Sequence, residues 1–137
     1  MTADDAAPGR TILRLVGVYD ADATLRGELA YWVGARLGRR HCSLCDITHG
    51  SVRAKPEWKA CVAGLPVPFD TFHRDDQPDE VRAAAAGVTP IVIAETEHGL
   101  KVLLSPAGLD NCNGSIDRLV DAITAAAERL ELTWRQP

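Results

Sequence analysis

Residues 11–19, TILRLVGVY, are largely β-branched or aliphatic and stop at Asp20 and Asp22. A β-branched and apolar run of this length, broken by Arg14 and bounded by turn-forming acids, is what a strand buried on both faces looks like. The sheet that holds it must therefore be covered on both sides, which restricts the chain to layered α/β architectures. With 137 residues, 46 % apolar and 25 % charged, the chain is long enough for one domain with its own core and too apolar to be disordered.

The remaining segments supply the covering layers. Leu25, Leu29, Trp32, Val33 and Leu37 recur at helical spacing, with Asp22 or Thr24 to cap the start and Gly38 to end the run. "KPEWKACVAGLP" predicts a short helix with Pro56 in its first turn, Trp58, Cys61, Val62 and Leu65 on its apolar face, and Gly64 and Pro66 as the stop. "VPFDTFHR" predicts a second strand, with Val67, Phe69, Thr71 and His73 opposed to Pro68, Asp70 and Phe72. "DDQPDEVRAAAAG" reads as a helix with an acidic first turn and Gly87 as its cap. "TPIVIAETEHGLKVLL" is two apolar runs joined at Gly99, which predicts a hairpin. In "NGSIDRLVDAITAAAERLEL", Ser115 caps a helix lined by Ile116, Leu119, Val120, Ile123, Ala127 and Leu130. The expected fold is a single domain over 11–132, between a tail at 1–10 and another at 133–137. Its core is a four-stranded mixed sheet flanked by helices, with a helical insertion after the first helix.

"VTPIVIA" at 88–94 and "NCNGSIDRLVDAI" at 111–123, within this order of elements, resemble the thioredoxin-like superfamily in its glutaredoxin-like arrangement. The resemblance covers about residues 11–130. It implies a cis Thr89–Pro90 bond at a substrate-binding edge, and it places the Cys112 loop and the last helix N-terminus like the glutathione carboxylate site of glutaredoxins. The chain departs from the family after the first strand, where a reactive Cys-x-x-Cys is expected. There it carries Asp20 and Asp22, and its own pair arrives later, in "GRRHCSLCDITHG".

That Cys42-x-x-Cys45 pair admits three readings. As a redox pair, Cys42 is the attacking thiol, its thiolate favoured by Arg39, Arg40 and His41, and Cys45 resolves the mixed disulfide with a protein or a small thiol as partner. This reading needs no cofactor, and Pro90 adjoins the pair if segment 38–50 folds back. As a metal site, Cys42 and Cys45 hold zinc together with His49 and Cys61, or with His41 or His73; copper(I) is chemically allowed but less available. As a structural element, the pair only packs. Cys61, beside Trp58 on an apolar helix face, reads as packing, and Cys112 as a thiol in an exposed loop.

A second candidate site lies beyond the carboxyl ends of the parallel strands, where open α/β sheets bind ligands. It gathers Tyr19, Asp20 and Asp22, then His73, Arg74 and Asp75, then Thr89 and Pro90, then Cys112 to Ser115. These residues are also typical of a solvated rim.

The net charge of −4, with acids and bases interspersed, provides no basic stripe for nucleic acid. No run approaches the roughly 18 apolar residues of a membrane span. "MTADDAAPGR" is acidic where a secretory leader is basic and then apolar. A cytoplasmic protein, its cysteines kept reduced, is the expectation.

Overall fold

A computed structural model describes residues 10–20, 43–48 and 55–135. The helix expected over 22–37 lies outside them, as do Asp22, Arg39, Arg40, His41, Cys42 and His49. The described chain forms β1 (Thr11–Val18), α1 (Ser43–Thr48), α2 (Pro56–Gly64), β2 (Phe69–Phe72), α3 (Asp79–Ala85), β3 (Ile91–Thr96), β4 (Gly99–Leu104), α4 (Pro106–Asp110), α5 (Ile116–Arg129) and β5 (Thr133–Trp134). None of these helices is long and apolar enough to cross a membrane.

The strands make one mixed sheet in the order β2-β1-β3-β4, with β5 attached to β1. β1 runs parallel to β2, with Leu15 opposite Phe69 and Val18 opposite Phe72. It runs antiparallel to β3, which pairs in turn with β4 as a hairpin. The fold is thus α/β.

The apolar run that opened the sequence argument is buried on both faces because successive β1 side chains serve different cores. Ile12, Leu15 and Tyr19 belong to the larger cluster, built against Leu44 and Ile47 of α1, Trp58 of α2, Leu109 of α4 and Leu119 and Ile123 of α5. Val16 and Val18 point the other way, into a small cluster with Ile91, Ile93, and Val81 and Ala85 of α3. Gly17 faces the larger core. A Cβ there would lie 3.0 Å from Phe69 Cε1 and 3.1 Å from Leu44 Cδ2, so the missing side chain is what lets α1 and the β2 ring meet over the strand.

The elements come in the expected order, but β2 is confined to Phe69–Phe72, Leu130 lies exposed past the end of α5 and not on its apolar face, and three further differences stand out. α3 closes through a left-handed Ala86, φ 52°, followed by Gly87, φ 80°, so the turn out of the helix spans both residues and not Gly87 alone. "SPAGLD" forms α4, with Pro106 in its first turn and the Ser105 hydroxyl accepting from the Gly108 N–H at 3.2 Å; five residues are too few to show a helical period. Thr133–Trp134, expected in a tail, forms β5, so the sheet has five strands and not four. β2 covers β1 only from Leu15 onward, and β5 pairs with the bare stretch at Thr11 and Ile12. The Thr89–Pro90 bond is cis, as the resemblance implies.

Candidate functional site

The carboxyl end of β1 is where the described residues concentrate polar contacts between distant segments. Tyr19 follows the strand directly and is 4 % exposed, and its hydroxyl lies 3.0 Å from the wholly buried Thr48 Oγ1. Thr48 is the last residue of α1 and Cys45 lies one turn earlier. A helix of six residues is too short to be stable alone. Leu44 and Ile47 in the core and the Thr48 hydroxyl on Tyr19 therefore fix where Cys45 sits.

His73, just beyond β2, stands against Tyr19 with ring centroids 5.3 Å apart and planes tilted by 51°. Its backbone N–H donates to Asp76 Oδ1 at 2.5 Å, and its Nδ1 lies 3.3 Å from Asp76 Oδ2. The next β1 neighbour, Asp20, accepts a hydrogen bond from the Thr89 hydroxyl at 3.0 Å and faces Arg74 Nη1 at 3.5 Å. Buried Pro90 follows Thr89. The expected rim is thus partly assembled: Tyr19, Asp20, His73, Arg74 and Thr89 form one connected group. Thr48, at the end of α1, meets this group through the Tyr19 hydroxyl.

Cys45 is 6 % exposed and disulfide-bonded, whereas Cys61 and Cys112 are free. Cys112 corrects an expectation. It is 2 % exposed, not an exposed loop thiol, because residues 106–110 form a helix that turns its S–H back onto the Gly108 carbonyl, 3.5 Å away. Burial raises its thiol pKa, partly offset by Arg118. Burial of this kind favours packing over thiolate reactivity. Cys61 is half-buried on α2, its pKa raised by burial and by Asp117, and it lines a pocket with Trp58 and Trp134. Among the described residues no group of three or more His, Cys, Asp or Glu side chains is placed to hold a metal ion.

Two expected outcomes follow directly. Cys61 should react with a maleimide at neutral pH at least tenfold faster than Cys112, measured by mass mapping after timed quenching, because both thiols are raised but only one is reachable. Tyr19→Phe should cost about 1 kcal/mol in urea unfolding, since it removes the hydroxyl that meets Thr48 Oγ1 in the core. Its pH signature is distinct. Burial raises the Tyr19 pKa against the opposing hydrogen bonds of Thr48 and Thr71, so the unfolded chain loses its proton first. The contribution is fully present below the unfolded value of about 10 and is lost as pH rises through the higher folded value, so the wild type loses stability more steeply there than the variant.

Thr48 was not legible as a site residue. A single hydroxyl between Ile47 and His49 leaves no periodic trace, and its importance comes only from meeting Tyr19 across 29 residues. The chain matches no known protein family, no curated protein and no solved structure.

Proposed function

We propose that the chain is a small thioredoxin-like protein whose Cys42 and Cys45 carry out thiol–disulfide exchange. The observation that carries this reading is that Cys45 is disulfide-bonded while Cys61 and Cys112 are free. The mixed sheet supports the reading too, since a parallel β1–β2 pair completed by an antiparallel hairpin is the order the resemblance implies. So does the return of α1 to the carboxyl end of β1.

In the proposed cycle the Cys42 thiolate attacks one sulfur of a partner disulfide, forming a mixed disulfide and releasing the partner's other sulfur as a thiol. The Cys45 thiolate then attacks the Cys42 sulfur, forming the intramolecular bond and releasing the second partner thiol. Two electrons pass from the protein to its partner, and the reverse sequence oxidises a dithiol. The partner class is a protein or small-molecule disulfide, in a cytoplasm whose glutathione pool resets the pair.

The test is equilibration of the full chain in glutathione buffers of graded potential, followed by alkylation and peptide mapping. Cys42 and Cys45 should interconvert together between dithiol and disulfide, with Cys61 and Cys112 unchanged, and Cys45→Ser should abolish the two-electron step. A bond that resists reduction until the protein unfolds would replace this reading with a structural disulfide. Close to one zinc ion per chain, with two thiols reactive only after chelation and retention weakened by His49→Ala, would replace it with the metal site.

A further inference from the structure

Away from the Tyr19 cluster, α2, α5, β1, β2 and β5 leave an apolar cavity of about 170 Å³ between them. Its wall is aliphatic and aromatic: Leu15 of β1, Trp58 of α2, Phe69 of β2, Leu119 and Ile123 of α5, and Trp134 of β5. Trp58 and Phe69 meet edge to face, with centroids 5.0 Å apart at 84°, so one side of the wall is a rigid aromatic corner. Besides the indole N–H groups of Trp58 and Trp134, the polar side chains among its described lining are the Cys61 thiol and the Thr124 hydroxyl, and Thr124 and Pro66 are exposed, which leaves the cavity open to solvent on that side.

A lining of this kind gives water almost nothing to hydrogen-bond, since a buried water typically needs two to four polar partners. An apolar cavity of about 150 Å³ stays dry and takes up benzene. The volume here is slightly larger, and the site is reachable from the surface. It is also too small for a drug-sized ligand, whose pockets run to about 300 Å³ and more.

We propose that this cavity is a binding site for a small, uncharged, apolar group the size of one aromatic ring, either a free molecule or the ring of a larger ligand whose remainder projects past Thr124 and Pro66. The ring packs against the Trp58–Phe69 corner and is closed in by Leu119, Ile123 and Trp134. A carboxylate or ammonium on the ring is excluded, because among the described residues no charged side chain lines the cavity to replace its hydration. The site is independent of the disulfide chemistry and does not require it.

The probe is toluene, titrated into the full chain and followed by the fluorescence of Trp58 and Trp134, by calorimetry and by thermal melting. Binding should be saturable at one site per chain and should raise Tm by about 4 °C at ten times Kd. Val120→Phe, at a half-buried position on the wall, fills the space and should weaken toluene binding at least tenfold while leaving the melting temperature of the free protein equal or higher. Should that variant fold poorly, Cys61→Leu serves the same purpose from the other side of the cavity. Benzoate, similar in size but charged, should bind at least tenfold more weakly than toluene. The proposal is overturned if toluene gives no saturable signal up to its solubility, if it binds the filled variants as tightly as the wild type, or if benzoate binds as well.

Discussion

Ile93→Ala should lower stability by about 3–4 kcal/mol and Tm by on the order of 10 °C, measured by urea and thermal unfolding. Ile93 is wholly buried in the smaller of the two cores, in which six buried residues are found among the described ones, four of them valine or alanine. Truncation there removes a large part of what α3 packs against, and a helix of seven residues has too few internal bonds to hold its place without it. Amide exchange in α3 should therefore accelerate more than exchange in α5, which rests on the larger core. The control is Val102→Ala on β4: at 43 % exposure it should change stability by less than about 0.5 kcal/mol.

Gly17→Val should cost about 2–3 kcal/mol by the opposite mechanism, overpacking. The first added carbon already meets the Phe69 ring at 3.0 Å and Leu44 at 3.1 Å, and β-branching adds two more carbons at a stiff χ1. One of the neighbours must retreat. Phe69 is pinned in β2 and by its contact with Trp58, so α1 is the element that gives way. Adding Leu44→Ala to the valine variant should consequently cost much less than the two changes summed, a coupling that a double-mutant cycle reads directly. Because Leu44 precedes Cys45, the valine variant should also change how readily the Cys45 disulfide is reduced.

These residues show which parts of the molecule sequence patterns can reveal. The two-faced burial of β1, the Ser115 cap, the Gly99 turn and the proline start of α2 are local: each depends on a few adjacent residues, and the structure has them where the patterns place them. The carboxyl-edge group around Asp20, His73, Arg74 and Thr89 followed from topology, since parallel strands deliver their ends to one side. What stayed hidden was either too short to carry a period, as with α4 and β5, or created by contacts between remote segments. The burial of Cys112 depends on α4 and the weight of Thr48 depends on Tyr19. The apolar cavity belongs to the second kind: its wall draws on five separate elements, and no stretch of sequence contains it.

The fifth strand has a practical consequence for rewiring the chain. β5 lies beside the start of β1, the Thr133 N–H donates to the Arg10 carbonyl at 2.8 Å, and Arg10 Nη1 meets Glu131 Oε1 at 2.7 Å. The sheet is thus entered and left at one corner, and because β5 runs parallel to β1 a linker of about a dozen residues would be needed to turn back and join the two positions. New ends opened in the exposed turn at Glu97 and His98 would interrupt neither helix nor strand. In such a circular permutant β1 becomes an interior segment with both neighbours already supplied by the chain, so its pairing with β5 would no longer depend on two distant stretches finding each other.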